Sequence, residues 1–134
     1  AREYVEALNR PYTYDDVCAI ARHQIVQMKQ YTEDRSDKIV VYDTELIITR
    51  VWFDYCYGST PHWVLEAMEH YKPDVYLLMY PDLAWVDDPV RENGGDAIRL
   101  ELYNRYLQEI RTLKVPCYII RHTPDGNISA SKMA

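Results

Sequence analysis

Asp74-Val-Tyr-Leu-Leu-Met-Tyr80 is a short apolar run bounded by an acid and by Pro81. Near-continuous apolar residues of this length predict a β-strand covered on both faces. Working outward, residues 81–95 have turn composition and several charges. That stretch is long for an ordinary connection, which predicts a functional loop or lid. Residues 97–113 follow, with Leu100, Tyr103, Leu107 and Ile110 on one stripe, the spacing of a helix with a single buried face. Pro116-Cys-Tyr-Ile-Ile-Arg121 then predicts a second strand. Strand, lid, helix and strand in this order indicate an α/β fold with a mostly parallel sheet.

The N-terminal side repeats the alternation. Residues 14–31 carry Val17, Ala21, Ile25 and Met28 at helical spacing behind Thr13, a residue type suited to an N-cap. Lys38-Ile-Val-Val-Tyr-Asp43 reads as a central strand ending in an acid. Residues 44–57 return to helical spacing through Leu46, Ile47, Val51 and Tyr55, and Gly58 is placed to end that helix. Thr60-Pro61 reads as the N-cap and first turn of another helix reaching about residue 71. From residue 123 onward the chain is small and polar, the composition of a loosely held, flexible tail. The expected organisation is therefore one domain over 1–122, with its lid at 81–95, followed by a tail over 123–134.

Composition narrows the function. With 134 residues, 48% of them apolar, the chain can build one core. Fifteen basic against 21 acidic residues give a net charge of -6. Direct nucleic-acid binding needs clustered positive charge, so this balance argues against it. A locally basic pocket for an anionic small molecule is compatible with it. Cys18, Cys56 and Cys117 are odd in number and form no Cys-x-x-Cys pair, which predicts reduced thiols rather than a zinc site or a disulfide framework. The four histidines show no ligand spacing. No apolar run approaches the ~20 residues of a membrane span, and no signal peptide opens the chain. A cytoplasmic protein without membrane contact is expected, with homo-oligomerisation left open.

In open α/β sheets ligands sit beyond the carboxyl ends of the strands. Two such ends carry chemistry here. Asp43-Thr44-Glu45 closes the first predicted strand, and an acid emerging from a buried strand can sit near Mg²⁺ in phosphate-binding proteins. A helix-capping role suits the same acid. Asp43 and Glu45 are both candidates for handling a proton. Trp85-Val-Asp87-Asp88-Pro-Val-Arg91 combines an aromatic for stacking, two carboxylates for ribose hydroxyls and an arginine for phosphoryl oxygens. Arg99 follows on the next helix. Two arginines on a lid supply positive charge that arrives when the lid closes. A solvated charged loop anchored by Trp85 is the simpler reading of the same residues. Tyr55, near the end of the helix after Asp43, is placed to line the crevice.

Three segments carry a family resemblance: Ala1-Arg-Glu-Tyr-Val5, Tyr42-Asp-Thr-Glu45, and Trp85-Val-Asp-Asp-x-x-Arg91 with Arg99 beyond it. In this order and spacing they resemble the ribosylnicotinamide kinase domain of NadR-type bacterial proteins, from Ala1 to about Arg121. The resemblance implies a three-layer P-loop kinase-like domain. It implies transfer of the ATP γ-phosphoryl group to the 5′-hydroxyl of nicotinamide riboside, with ATP and Mg²⁺ as cofactors and a small nucleoside as partner. Carried over, Asp43 resembles the acid of the Mg²⁺ site, and Arg91 and Arg99 resemble lid arginines that act on phosphates. Trp85 resembles the ring that stacks on nicotinamide. Asp87 or Asp88 would contact the riboside, and Arg2 and Glu3 would line the substrate side.

The sequence departs from that pattern at its front. Family members begin with a strand and a Gly-rich loop ending in Gly-Lys-Ser/Thr, and neither occurs here. Asn93-Gly94-Gly95 is no substitute, since no lysine or hydroxyl follows it. The chain is accordingly expected to be a kinase fragment lacking its first strands, to bind ATP weakly by itself and to have negligible activity alone. Pro89 stands where a glycine is common in this loop, which stiffens it. A noncatalytic module that senses a nicotinamide-containing ligand, and a P-loop NTPase of unknown substrate, are the alternatives.

Overall fold

The computed structural model describes residues 1–34, 37–89 and 94–133. They fall into two compact units, residues 1–71 and 72–134.

The first unit is helical: α1 (Arg2–Ala7), α2 (Tyr14–Glu33), α3 (Leu46–Tyr57) and α4 (His62–His70). Helix α2 begins as its sequence directs. Thr13 is the N-cap, and Asp16 completes a reciprocal capping box with it. Asp16 does more than cap. Its carboxylate also takes the Arg10 guanidinium at 2.6 Å and the Tyr4 hydroxyl at 3.1 Å, tying α1 and the 8–13 connection to the start of α2. Arg10, the Thr13 backbone and the other donors hold this carboxyl well below the usual carboxylate range.

Helix α2 buries Val17, Ala21 and Met28 of the stripe read from sequence, adds Ile20, and leaves Ile25 half-buried with Gln24 inside beside it. Helix α3 packs on both α2 and α4. It buries Leu46, Ile47, Val51 and Phe53, while α4 buries Val64, Ala67 and Met68. One polar pair lies inside this apolar set: Thr49 Oγ1 donates to Gln24 Oε1 at 2.7 Å. Gly58 ends α3 in the left-handed region at φ 74°, where an L side chain would be strained. At the next start Pro61, not Thr60, is the N-cap. The Thr60 hydroxyl is drawn back to α3 instead, bonding the Arg50 carbonyl at 3.2 Å and the Asp54 carboxylate at 3.0 Å.

The expected strand at 38–43 does not form: these residues have no ladder partner among the described residues. Ile39 is 91% and Val41 82% exposed. β-Branched residues favour a pleated surface, but a strand exists only through its neighbour, and none is supplied to this run.

The second unit holds β1 (Tyr76–Met79), α5 (Asp96–Leu113), β2 (Cys117–His122) and β3 (Ile128–Lys132). Strands β1 and β2 are parallel, Tyr76 opposite Cys117 through Met79 opposite Ile120, and α5 is the crossover between them. Strand β3 lies antiparallel on the other side of β2, Tyr118 opposite Lys132 through His122 opposite Ile128. The sheet is thus mixed, in the order β1-β2-β3. The supposed tail supplies its third strand: a tight turn at 123–127, with Gly126 at φ 82°, folds the chain back on β2.

Strand pleating divides this sheet. Tyr76, Leu78, Cys117, Ile119 and Arg121 share one face, and the contact of Tyr103 on α5 with the Tyr80 ring, centroids 5.1 Å apart, marks that face as the one α5 covers. Tyr103, Ile110, Leu113, Val115 and Cys117 form its buried core. Leu77, Met79, Tyr118, Ile120, His122 and Ile128 occupy the opposite face, and Leu77, Met79 and Ile128 are exposed there. No helix among the described residues is long and apolar enough to cross a membrane.

Candidate functional site

In the first unit the candidate acids are separated by local backbone geometry. Glu45, not Asp43, caps α3: its side chain is buried and accepts the Ile47 N–H at 3.1 Å. Thr44 between them has φ 62°. A β-branched residue in the left-handed region is an uncommon conformation, of the sort retained at functional turns. It sets Asp43 in an exposed position outside the cap. The capping role read for Asp43 therefore belongs to its neighbour, and Glu45 is committed to the helix end.

Asp43 fits a magnesium ion chemically. It offers a hard carboxylate oxygen that the helix cap does not consume, and Mg²⁺ is ordinarily held by one or two carboxylates plus substrate phosphates. The described residues contain no cluster of three or more His, Cys, Asp or Glu suited to a metal.

The other candidates in this unit stand apart from Asp43 in sequence. Arg2 and Glu3 lie on α1, which buries none of its residues, and Arg2 pairs with Glu6 at 2.9 Å. Tyr55 is exposed on α3.

In the second unit the 81–95 loop draws several predicted residues together. Arg99, in the first turn of α5, reaches back to the loop. Its guanidinium donates to the Leu83 carbonyl at 2.8 Å and to Asp96 at 2.7 Å, and lies over the Trp85 ring at 5.8 Å. Trp85 Nε1 donates to Asp87 at 3.2 Å. Gly94 completes the packing: a Cβ there would come within 2.4 Å of the indole, so only glycine lets the ring settle. Arg99 Nε is buried without a hydrogen-bond partner among the described residues, leaving capacity on a guanidinium already placed at the loop. Asp88 is half-buried on the same loop, while Arg91 lies outside the described residues. Trp85 thus touches both Asp87 and Arg99, and also serves as the loop's anchor.

Two groups at the strand ends escaped the sequence reading. Asp82, just beyond β1, accepts both the backbone N–H of His122 at 2.7 Å and a hydrogen bond with its ring Nδ1 at 2.9 Å. These bonds, the backbone one foremost, lower the Asp82 pKa. Beside them the Arg121 guanidinium lies 3.8 Å from the centroid of the Tyr80 ring. The signal available was position: Asp82 follows one strand and His122 ends the adjacent one, so parallel pairing brings them together across 40 residues.

No curated protein and no solved structure gives a match to the chain. A family model described as AAA domain matches residues 1–127. That span takes in the first unit and the second as far as the turn before β3, with Asp43, the 81–95 loop, Arg99 and the Asp82–His122 pair. The chain belongs to this family of P-loop NTPase-like AAA domains, which generally bind ATP with Mg²⁺.

Proposed function

We propose that the protein bearing this domain is a nucleoside kinase that moves the ATP γ-phosphoryl group to the 5′-hydroxyl of nicotinamide riboside, giving nicotinamide mononucleotide. The observation that carries this reading is the 81–95 loop, where an aromatic, a carboxylate and an arginine meet at Trp85, Asp87 and Arg99. Those are the groups a riboside phosphotransferase requires: a ring to stack on, an acceptor for ribose hydroxyls, and a fixed cation for phosphoryl oxygens.

In this reading Asp43 holds the magnesium ion, which when bound neutralises phosphate charge. Asp87 and Asp88 accept ribose hydroxyls. Arg99 exchanges its contact with the Leu83 carbonyl for a phosphoryl oxygen when ligand arrives, and Arg91 adds a second charge. Trp85 presents an indole face to nicotinamide. Arg2, Glu3 and Tyr55 contribute to the substrate side. Phosphoryl transfer has a loose transition state, so positioning and charge matter more than a strong base.

The test is a fluorescence titration with nicotinamide riboside, paired with an ADP-release assay on the full-length parent protein. A saturable signal that disappears in Trp85→Ala, together with riboside-dependent ADP release, is expected. Saturable binding without ADP release would instead assign a noncatalytic ligand-sensing module. Absence of both would refute the proposal.

A further inference from the structure

We propose that Asp82 and His122 form a ligand-binding dyad in which His122 Nε2 accepts a hydrogen bond from an N–H or O–H group of a nucleoside-class ligand. The inference rests on the nucleotide-binding reading above and assigns it a further contact. Its basis is geometric. One Asp82 oxygen accepts the His122 backbone N–H at 2.7 Å and the other lies 2.9 Å from Nδ1. A carboxylate has only acceptors to offer, so the proton between it and the ring resides on Nδ1. When the ring is neutral, its lone pair then lies on Nε2. Asp82 acts as a positioning residue: it fixes both ring orientation and tautomer, as carboxylates do for functional histidines in many sites.

The surroundings favour a ligand over a purely structural clasp. The pair sits at the carboxyl ends of two parallel strands, where α/β sheets bind ligands. The His122 side chain is 40% exposed and its partner Asp82 22%, so the held nitrogen remains within reach of solvent. His122 belongs to the sheet face that α5 does not cover, with Ile120 two residues before it and Ile128 directly opposite on β3. Ile128 is 70% exposed. An acceptor fixed beside an apolar floor suits a ligand with a flat ring and an attached donor, the chemistry of a nucleoside. Ion pairing alone would not require that floor.

Two side-chain replacements separate the roles. In His122→Asn the amide nitrogen takes the place of Nδ1 and keeps the bond to Asp82, but nothing replaces Nε2. In Asp82→Asn the ring keeps Nε2 but loses the charge that selects its tautomer. Long-range ¹H–¹⁵N NMR on the wild-type chain should show the neutral His122 ring protonated at Nδ1, and Asp82→Asn should move the proton toward Nε2. Titrations with MgATP and with nicotinamide riboside should perturb the His122 ring resonances. His122→Asn should retain the wild-type melting temperature yet bind the perturbing probe about five- to tenfold more weakly, the effect of one lost hydrogen bond. A neutral ring protonated at Nε2 in the wild type would overturn the proposal, as would undiminished binding by His122→Asn. If the wild-type chain binds neither probe, both the dyad and the nucleotide-binding reading fail. If it binds and the asparagine variant matches it, the dyad alone fails.

Discussion

Replacing Thr49 with valine isolates one buried hydrogen bond. Valine has the shape of threonine with a methyl in place of the hydroxyl, so no cavity opens and the packing of α3 is retained. What changes is Gln24. Thr49 is 2% and Gln24 8% exposed, and the Gln24 amide oxygen takes its hydrogen bond from the Thr49 hydroxyl at 2.7 Å. Without that donor a buried carbonyl oxygen is left unpaired, which costs about 1–3 kcal/mol. The methyl recovers a little through its own burial, so a loss of about 1–2 kcal/mol is expected. Gln24→Leu should cost less, because an orphaned threonine hydroxyl in a helix can turn to the carbonyl four residues back. Removing both polar groups should be less damaging than the sum of the single changes by about 1 kcal/mol, since no buried group is then left wanting. Urea unfolding followed by far-ultraviolet circular dichroism reads all four proteins. With a slope of about 1–3 kcal/mol/M the midpoint for Thr49→Val should fall by roughly 0.5–1.5 M at unchanged slope. An unmoved midpoint, or a double variant equal to the sum of its parts, would refute the assignment of this bond to the core.

Two further perturbations probe the capping hub and the loop. Asp16 is held below its usual pKa by Arg10, Thr13 and Tyr4, so its contribution is present above the unfolded carboxyl value of ~4 and is lost as pH falls through that range toward the lower folded value. Asp16→Asn should therefore lower the melting temperature at pH 7 and flatten its dependence on pH below 5; an unchanged acid limb would contradict this. Gly94→Ala should drive the Trp85 indole off its seat, because the new Cβ would lie 2.4 Å from Cε2, at a cost of about 1 kcal/mol and with a red shift in the Trp85 part of the emission. An emission spectrum identical to wild type would show that the ring does not rest there.

Much of the local structure was legible because it depends on neighbours in sequence. The Thr13 cap, the left-handed Gly58 and the Tyr103 and Ile110 positions of the α5 stripe each follow from residues within a few positions of one another, whereas Leu100 of that stripe is 41% exposed. The β1-loop-α5-β2 order was legible for the same reason, two apolar runs flanking one amphipathic stretch. What failed to show depends on distant partners. Lys38 to Asp43 has strand composition, yet pairing is a property of two segments, and composition cannot supply the second. The 128–132 segment was misread in the opposite sense: Ser129, Ala130 and Ser131 have weak strand signals, but the Gly126 turn places them beside β2 and the ladder does the rest. At the candidate site, Trp85, Asp87 and Arg99 could be grouped from spacing alone. The Asp82–His122 pair could not, because the two residues meet only once parallel pairing brings two strand ends together.

The 43–45 segment shows why residue type alone leaves a site half assigned. Two acids flank a threonine, and either could cap the helix that follows. A cap must adopt extended backbone angles and turn its side chain onto the N–H two or three residues on. Glu45 does both, with φ -118° and a bond to Ile47. Thr44, with its positive φ, bends the chain just before the cap, and Asp43 stays exposed outside it. A carboxylate held in a cap is already engaged by a backbone donor, and using it for a metal or a proton would cost the helix its start. Asp43 carries no such obligation to α3. Its carboxylate is therefore the one of the two that can engage a ligand without loosening the start of α3.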